Sequence, residues 1–225
     1  MQHVKLVAVT KPTIPEITTA EEFVAYVARV SNPSNQLNTE TSSKLIRYLI
    51  KNKHWSPFEM VSVCMEITTT RDIARQILRH RSFSFQEFSQ RYADPTQSLE
   101  FVTREPRLQD TKNRQNSLPV DLLNDKHRIL SYQWEQFQNN LTKTVLETYK
   151  WALENNIAKE QARAILPEGL IESRLYMSGS LRSWLHYIQV RTDISTQKEH
   201  RIIADLCKSE ISKEFPSIQE ALDSL

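Results

Sequence analysis

The chain of 225 residues contains only two glycines, Gly169 and Gly179, and this scarcity constrains its fold more than any other feature. Folds that hold a nucleotide phosphate on backbone N–H groups need several glycines in one loop, as in the Rossmann turn and the P-loop. Neither loop can be written with these two glycines. If the protein binds a nucleotide, side chains must therefore replace the glycine-rich loop.

Apolar periodicity along the chain predicts an α+β protein that is rich in helices. The pattern predicts strands at 4–9, 61–70 and 171–177, and helices at 20–29, 42–51, 71–79, 122–155, 159–165, 181–191 and 197–215. Residues 93–120 are polar and are expected to form an extended loop with a short strand near 101–102. We expect a central, mostly antiparallel sheet flanked by helices, without a Rossmann fold, in one domain that spans residues 1–225.

Composition excludes several classes of protein. Hydrophobic residues make up 39% and charged residues 25%, as in ordinary globular proteins, and the net charge is only +2. Two distant cysteines, Cys64 and Cys207, provide neither a disulfide framework nor a zinc-binding spacing, and the six histidines form no metal-binding pattern. Without an apparent signal peptide or membrane span, the protein is expected in the cytoplasm, or in the host cytoplasm if its source is a virus.

Arginine without lysine marks the central third of the chain. No lysine lies between Lys53 and Lys112, whereas seven arginines do. The guanidinium fork grips phosphate or carboxylate with two hydrogen bonds, which lysine cannot do. Residues 79–92 mix arginines with hydroxyls, amides and three phenylalanines. The segment therefore resembles a site for a planar anion. Two alternative interpretations remain open: a solvated arginine face with ion pairs, and phenylalanines that pack in the core.

Three of these arginines, Arg71, Arg75 and Arg79, follow the spacing i, i+4 and i+8. On a helix they form one stripe, and like charges at i,i+4 destabilise a helix by roughly 0.2–0.5 kcal/mol per pair. The stripe therefore needs an external anion or a carboxylate partner. Asp72 can serve Arg75 or Gln76, but it cannot serve the whole stripe.

A second window without lysine, 161–197, holds Arg163, Arg174, Arg182 and Arg191. Arg191 ends a predicted helix, where a cation interacts favourably with the helix dipole. From the residues alone, helix capping and a functional role for Arg191 are both open.

The arginine-rich segment resembles the signature of the flavin-dependent thymidylate synthases. The matching residues are Arg79, His80, Arg81, Ser84, Glu87, Ser89, Arg91 and Tyr92. Further segments resemble the family in the same order, over about residues 25–200: 28–31, 54–59, 162–167 and 190–191. The family usually has asparagine where this chain has Gln86, Ser180 and His186, and histidine at Ser195.

The resemblance implies the conversion of dUMP to dTMP by reductive methylation. The implied co-substrates are 5,10-methylenetetrahydrofolate, which supplies the carbon, and NADPH, with tightly bound FAD as the cofactor and no metal. Arg191 is implied to ionise and polarise the uracil, because a cation beside the ring stabilises negative charge on it. A homotetramer with sites shared between subunits is also implied, with no membrane or nucleic acid as partner.

Site residues are carried over by their positions in the matching segments. The implied dUMP-binding residues are Gln76, Arg79, Glu87, Phe88, Ser89, Gln90, Arg91, Arg163 and Arg191. The implied FAD-binding residues are Ser56, Arg79, His80, Arg81, Ser82, Glu87, Ser180, Leu181, Arg182 and His186, with Ser31, His54 and Glu59 as weaker candidates.

The chemistry of the possible nucleophiles favours the flavin route. Serine needs a positioned base to lose its proton, so we interpret Ser89 as a hydrogen-bonding group. Both Cys64 and Cys207 lie in apolar patterns and are expected to be small buried residues. The alternative function is an arginine- and aromatic-rich protein that binds single-stranded nucleic acid. The low net charge argues against this alternative.

Overall fold

The structure, a computed structural model, describes residues 2–223, which contain six strands and eight α-helices. The strands are β1 (His3–Val9), β2 (Ser62–Thr70), β3 (Ser84–Glu87), β4 (Arg107–Gln109), β5 (Ser117–Pro119) and β6 (Glu172–Ser180). The helices are α1 (Ala20–Ala28), α2 (Ser42–Lys51), α3 (Arg71–Ile77), α4 (Asp125–Glu154), α5 (Lys159–Ala162), α6 (Leu181–Arg191), α7 (Lys198–Glu214) and α8 (Pro216–Asp223).

The central sheet has four strands in the order β1-β2-β6-β3, and every pair is antiparallel. β2 and β6 pair over their full lengths, from Ser62 opposite Ser180 to Thr70 opposite Glu172. The predicted α+β class and mostly antiparallel sheet are confirmed. β3, which carries part of the arginine-rich segment, forms one edge of this sheet.

One face of the sheet forms the main core with helices α1–α3 and α6–α8. Alternate residues of β2, namely Val63, Met65 and Ile67, are buried, as the period of two requires. α1 begins where predicted, because Thr19 and Glu22 form a reciprocal capping box. A smaller cluster joins α4 to residues 162–171.

Four elements lie outside the sequence prediction. β3 forms within the arginine-rich segment, for which the sequence pattern predicts no strand. β4 and β5 form a separate two-stranded sheet within the expected loop, and their three-residue length leaves no measurable alternation. α8 begins at Pro216, just after the predicted end of the last helix. Proline is favourable at the first position of a helix, so it starts α8 here. Within residues 2–223, no helix is both long and apolar enough to span a bilayer.

Candidate active site

The fold brings Arg191 against the arginine-rich segment of its own chain. α3 and α6 begin at opposite ends of the β2–β6 pair, and their C-terminal ends meet beneath the sheet. There Arg191 Nε donates a hydrogen bond to His80 Nε2 at 3.0 Å. Because the guanidinium is always a donor, His80 Nε2 must be the acceptor, and the imidazole proton lies on Nδ1. The contact joins residues 111 positions apart in sequence.

The environment of His80 keeps its ring neutral. Burial, followed by the charges of Arg191 and Arg79, lowers the pKa of His80 to about 4. The ring packs edge-on against Tyr187 with centroids 4.9 Å apart. Because His80 occupies the Nε–H of Arg191, the outer nitrogens of that guanidinium remain available for a ligand.

Behind this pair, Gln76 takes part in a partly buried polar network. Its Nε2 donates to Gln197 Oε1 at 2.8 Å, and its Oε1 lies 3.2 Å from His200 Nδ1. His200 is completely buried, and its pKa is lowered to about 3 by burial and then by the charge of Arg191. The sequence reasoning missed His200 and Gln197, because neither matches a family motif.

The turn after α3 carries exposed donors. Arg79 and Arg81 are exposed, as is Ser82, and neither guanidinium makes a hydrogen bond or salt bridge within residues 2–223. Phe83, in contrast, packs edge-on against Trp184 at 4.9 Å. The polar groups of the turn therefore lie outward, whereas the Phe83 ring packs against the core. This agrees with the interpretation of Phe83 as a core-packing residue.

Beyond the turn, β3 leads into the second half of the segment. Glu87 accepts a hydrogen bond from Ser173 Oγ at 2.7 Å, and Phe88 N–H donates to the Arg174 carbonyl at 2.8 Å. Ser89 starts a turn in which its hydroxyl accepts from the Arg91 backbone at 3.4 Å. No carboxylate or imidazole within the described residues hydrogen-bonds this hydroxyl, so nothing there acts as its base.

A cavity of about 470 Å³ brings Gln90 and Arg163 together with two arginines of α3, Arg71 and Arg75. Gln90 is almost fully buried. Gln90 Nε2 and Arg71 Nη1 are buried donors that make no hydrogen bond within the described residues, and Arg71 Nη1 lies 3.7 Å from Glu87 Oε1. Unsatisfied buried donors are costly, and a bound anion would supply the missing acceptors.

A carboxylate partly neutralises the arginine stripe. Both carboxylate oxygens of Glu168 share the single Nε–H of Arg75, at 2.7 and 2.8 Å, and Glu168 lies 3.5 Å from Arg71 Nε. Asp72 pairs with Arg104 at 2.7 Å and not with Arg75. Neither Arg71 nor Arg75 is among the residues implied by the family, although the i,i+4 stripe indicated both of them. Arg91 pairs with Glu160 at 3.2 Å.

A third group gathers where β6 meets α6. Arg182 Nη1 donates to Glu59 Oε1 at 2.7 Å, and hydrogen bonds from Ser180 and Arg182 lower the pKa of Glu59 against the opposing effect of burial. His186 packs edge-on against Trp55 at 4.8 Å. Burial and the Arg182 charge lower the pKa of His186. Of the remaining predicted residues in this region, Ser56 is exposed and Leu181 is buried.

The weaker candidates Ser31 and His54 border a different region. Ser31 lines a cavity of about 540 Å³ together with Arg29 and Tyr48. His54 packs edge-on against the Tyr48 ring, with centroids 5.9 Å apart. Both candidates are exposed and therefore accessible to a ligand.

Neither cysteine has the environment of a reactive thiolate. Cys207 is fully buried, as expected, and burial raises its pKa. Cys64 is only half-buried, because it lies on the sheet face opposite the main core, and partial burial raises its pKa also. A raised pKa keeps a thiol protonated and weakens it as a nucleophile.

Comparison with known proteins gives consistent matches over nearly the whole chain. Residues 13–217 match the family described as thymidylate synthase complementing protein. The probable flavin-dependent thymidylate synthase of Paramecium bursaria Chlorella virus 1 is 49% identical, over 97% of this chain and 98% of that protein. The flavin-dependent thymidylate synthase of a Synechocystis strain is 48% identical, over 98% and 99%.

A solved structure has the same fold. The UMP/dUMP methylase PolB from Streptomyces cacaoi, bound with 5-Br dUMP, superposes with a TM-score of 0.78 and 25% sequence identity. The match covers 100% of this chain and 96% of that chain.

Proposed function

The chain belongs to the family of flavin-dependent thymidylate synthases, and from this membership we propose how its residues carry out the reductive methylation of dUMP to dTMP. The main observation behind this proposal is the cavity lined by Gln90 and Arg163. Its two unsatisfied buried donors, Gln90 Nε2 and Arg71 Nη1, suit the oxygens of a nucleotide phosphate. Arg75 and Arg163 line the same cavity, and because Glu168 neutralises Arg75, the added positive charge comes from Arg163.

The proposed dUMP-binding set includes both halves of the arginine-rich segment. Ser89, Gln90, Arg91 and Arg163 bind the phosphate, whereas Gln76, Arg79 and Arg191 bind the base and sugar side of the nucleotide. Glu87 and Phe88 lie between them on β3 and its end. Ser89 acts by hydrogen bonding, because no side chain among the described residues is placed to take its proton.

Arg191 has the central role in the chemistry. Its Nε–H is held by His80 at 3.0 Å, so the position and orientation of the guanidinium plane are set before the nucleotide binds. A cation held beside the uracil ring stabilises the negative charge that makes the ring carbon nucleophilic. His80 stays neutral at physiological pH, and therefore does not repel Arg191.

The residues proposed for FAD suit that cofactor chemically. Arg79 and Arg81 are exposed guanidiniums without partners in the described part of the chain, and they suit the diphosphate. Hydroxyl, carboxylate, guanidinium and imidazole groups are proposed to bind the sugar hydroxyls and the flavin; they belong to Ser82, Ser56, Glu59, Ser180, Arg182 and His186. The other proposed FAD-binding residues are Leu181, His80, Glu87, Ser31 and His54. When bound, FAD supplies the redox chemistry of the methyl transfer. NADPH and 5,10-methylenetetrahydrofolate are the proposed sources of electrons and carbon.

The proposed assembly is a homotetramer whose sites are shared between subunits. An exposed apolar stripe on α4, here called the α4 stripe, supports association. It consists of Leu130, Trp134, Phe137 and Leu141, which are between 40% and 66% exposed and follow the spacing i, i+4, i+7 and i+11. A contiguous apolar stripe of this kind is typical of an interaction surface.

The test of the function combines a spectrum with turnover. Purified protein reconstituted with FAD is expected to absorb at roughly 450 nm, as flavins do, and to be bleached by NADPH. It should then form dTMP only when dUMP and methylenetetrahydrofolate are both present. The Arg191→Ala variant should keep the flavin band and lose turnover. A protein that takes up no FAD but binds RNA with a steep salt dependence would favour the nucleic-acid alternative.

A further inference from the structure

Five side chains form a continuous chain of hydrogen bonds behind the proposed uracil site, here called the Glu199 chain. Glu199 accepts from Gln197 Nε2 at 2.9 Å, and Gln197 Oε1 accepts from Gln76 Nε2 at 2.8 Å. Gln76 Oε1 contacts His200 Nδ1 at 3.2 Å, and His200 Nε2 contacts the Tyr187 hydroxyl at 3.1 Å. Each member therefore touches the next through a polar atom.

An ionic anchor holds one end of the Glu199 chain. Arg107 Nη2 donates to both carboxylate oxygens of Glu199, at 2.6 and 2.8 Å, and the two side chains are each only 15% exposed. Burial alone would raise the pKa of Glu199, but hydrogen bonds from Arg107, the backbone and Gln197 lower it. Glu199 is therefore ionised and can only accept hydrogen bonds.

The ionised anchor sets the direction of every bond that follows. Because Glu199 only accepts, the amide nitrogen of Gln197 faces it and the oxygen of Gln197 faces Gln76. Gln76 must then present its nitrogen to Gln197 and its oxygen to His200. That oxygen also only accepts, so His200 carries its proton on Nδ1 and accepts from Tyr187 at Nε2.

The Glu199 chain prevents the Gln76 amide from turning over. A flipped amide would place Gln76 Oε1 against Gln197 Oε1, and Nε2 against the Nδ1–H of His200. The contact between the two amide oxygens would be repulsive, and the contact with His200 would be repulsive unless the imidazole proton moved from Nδ1 to Nε2, in a site that is partly buried. Gln76 is half-buried, and the second N–H of its Nε2 remains free to donate to a ligand.

The far end of the Glu199 chain reaches the pair formed by Arg191 and His80. The Tyr187 ring packs edge-on against His80 at 4.9 Å, and the His200 ring lies 6.2 Å from it. Tyr187 is only 2% exposed. His200 thus stands between two groups of the proposed uracil site, the Gln76 amide and the imidazole that orients Arg191.

We propose that His200 is a positioning residue for the nucleotide, which together with Gln197 fixes the Gln76 amide so that an N–H, and not the carbonyl oxygen, faces the uracil. The proposal rests on the function proposed above, because it takes dUMP as the ligand. A uracil carbonyl is an acceptor, so it pairs with this N–H and is repelled by an oxygen. His200 acts through Gln76 and does not touch the nucleotide.

Two variants of similar size separate positioning from packing. His200→Leu removes the donor to Gln76, whereas His200→Asn keeps a donating N–H at the position of Nδ1. We expect His200→Leu to raise the Kd and KM for dUMP about fivefold, since one oriented hydrogen bond contributes on the order of 1 kcal/mol. The kcat should change little, because the reacting groups stay in place. His200→Asn should bind dUMP nearly as tightly as the native protein.

The binding measurement uses the FAD-loaded oligomer, titrated with dUMP and followed by calorimetry and by the flavin difference spectrum. Cys207→Ala is the matched control, because Cys207 lies on the same buried face of α7 but outside the Glu199 chain. It should lower the melting temperature and leave the Kd unchanged. Equal binding by His200→Leu and the native protein would overturn the proposal. So would equal weakening by Leu and Asn, which would point to packing alone.

A measurement without nucleotide separates this proposal from the function itself. Magic-angle-spinning NMR of the protein labelled with ¹⁵N-histidine reports which ring nitrogen of His200 carries the proton, with His200→Asn used to assign the signal. A proton on Nδ1 is expected, and a proton on Nε2 would refute the directed chain. Native protein that has this tautomer but binds no dUMP would instead overturn the proposed function, and with it the role of His200 toward a nucleotide.

Discussion

The arginines of the central segment differ in what faces them. Arg71 and Arg75 both form salt bridges with Glu168, and Arg104 forms a salt bridge with Asp72. Arg79 and Arg81 have no carboxylate partner among the described residues. A guanidinium that already has a carboxylate stabilises the fold, whereas an exposed one without a partner is available to an anionic ligand. The division agrees with the roles proposed for Arg79 and Arg81 at the FAD diphosphate, whereas Arg71 and Arg91, which have carboxylate partners, are proposed to offer their remaining donors to the dUMP phosphate.

At this scale, the first prediction concerns Arg191. Arg191→Ala should lower kcat by about 10² to 10³-fold and raise KM for dUMP less, because it removes charge stabilisation that is strongest in the transition state. Arg191→Lys should recover part of the loss, since it restores the charge but not the fork. Steady-state kinetics of dTMP formation measure both. Arg128→Ala, at an exposed pair with Asp125, is the control, and an equal loss there would contradict the prediction.

The second prediction concerns the pH dependence of stability. The pKa values of His80, about 4, and His200, about 3, lie below the ordinary value of 6.5. The unfolded chain therefore binds protons that the folded chain does not as the pH falls below about 6.5. Above pH 6.5 both rings are neutral in the folded and the unfolded chain, so they cost no stability. As the pH falls from 6.5 toward 4, protonation of the unfolded chain lowers the free energy of unfolding.

Urea unfolding between pH 7 and pH 5, at one protein concentration, tests this dependence. His200→Asn should reduce the slope by at most about 1.4 kcal/mol per pH unit, the value for one proton. Cys207→Ala lowers stability without removing a histidine and should keep the native slope. Identical slopes for the native protein and His200→Asn would show that His200 is protonated equally in both states.

Among the elements, the end of β6 depends on the close approach of the turn after α3. A Cβ added at Gly179 would lie 2.5 Å from Phe83 Cδ1 and 2.9 Å from Cε1. Phe83 cannot move aside easily, because Trp184 and Tyr187 pack against its ring. Gly179 therefore lets the arginine-rich segment lie against the sheet, in a chain that has only one other glycine.

The third prediction compares the two glycines. Gly179→Ala should destabilise the protein by about 1–3 kcal/mol, as overpacking does, and should also weaken dUMP binding by shifting the turn. Gly169→Ala is the control, because its nearest neighbour would be Asp72 Oδ2 at 4.0 Å, an ordinary contact. Thermal unfolding with and without dUMP measures both effects. A Gly179→Ala variant as stable as Gly169→Ala would mean that Phe83 has room to move.

For the whole molecule, the main open question is why α4 exposes an apolar surface, because no part of the same chain covers it among the described residues. The smaller core cluster, between α4 and residues 162–171, buries Val145, Tyr149 and Ala152 near the C-terminal end of α4. The α4 stripe lies on the preceding turns, with Phe137 66% exposed. A second chain packed on the stripe would remove this surface from water, which is the main driving force for association.

The fourth prediction therefore concerns assembly. Light scattering should give four times the chain mass of 26.3 kDa for the native protein. Phe137→Glu should give a smaller particle, because it places a charge in an apolar interface. Lys143→Glu is the control, since it adds an acid at an exposed position on the opposite side of α4. A tetramer that survives Phe137→Glu unchanged would place the interface elsewhere.

Shared sites have a separate test in mixed oligomers. Arg79→Ala and Arg191→Ala are each expected to be inactive, and mixing them should restore activity if one subunit's Arg79 works with another's Arg191. Absence of recovery would count against shared sites. It would agree with a site in which both arginines come from one chain, where both lie near His80.

Sequence reasoning reached the fold class, the major helices, three of the four strands of the main sheet, and the family. It did so because those properties depend on local periodicity and on motifs of a few neighbouring residues. It also identified the arginines as the chemical means of holding an anion, since two glycines leave no backbone alternative. It missed β3, the β4–β5 pair and α8, where short strands and a proline at a helix start leave weak local signals.

Tertiary structure alone decided which residues act together. Arg191 reaches His80 over 111 positions, and His200 reaches Gln76 over 124. Which carboxylate neutralises Arg75 was also decided by the fold, because Glu168 lies 93 positions away and Asp72 turns to Arg104. The sequence by itself determined what kinds of group this protein has for its ligand. Only the packing of α3, α6 and α7 under the sheet determined their partners, protonation states and orientations, because these arise from contacts that no local pattern encodes.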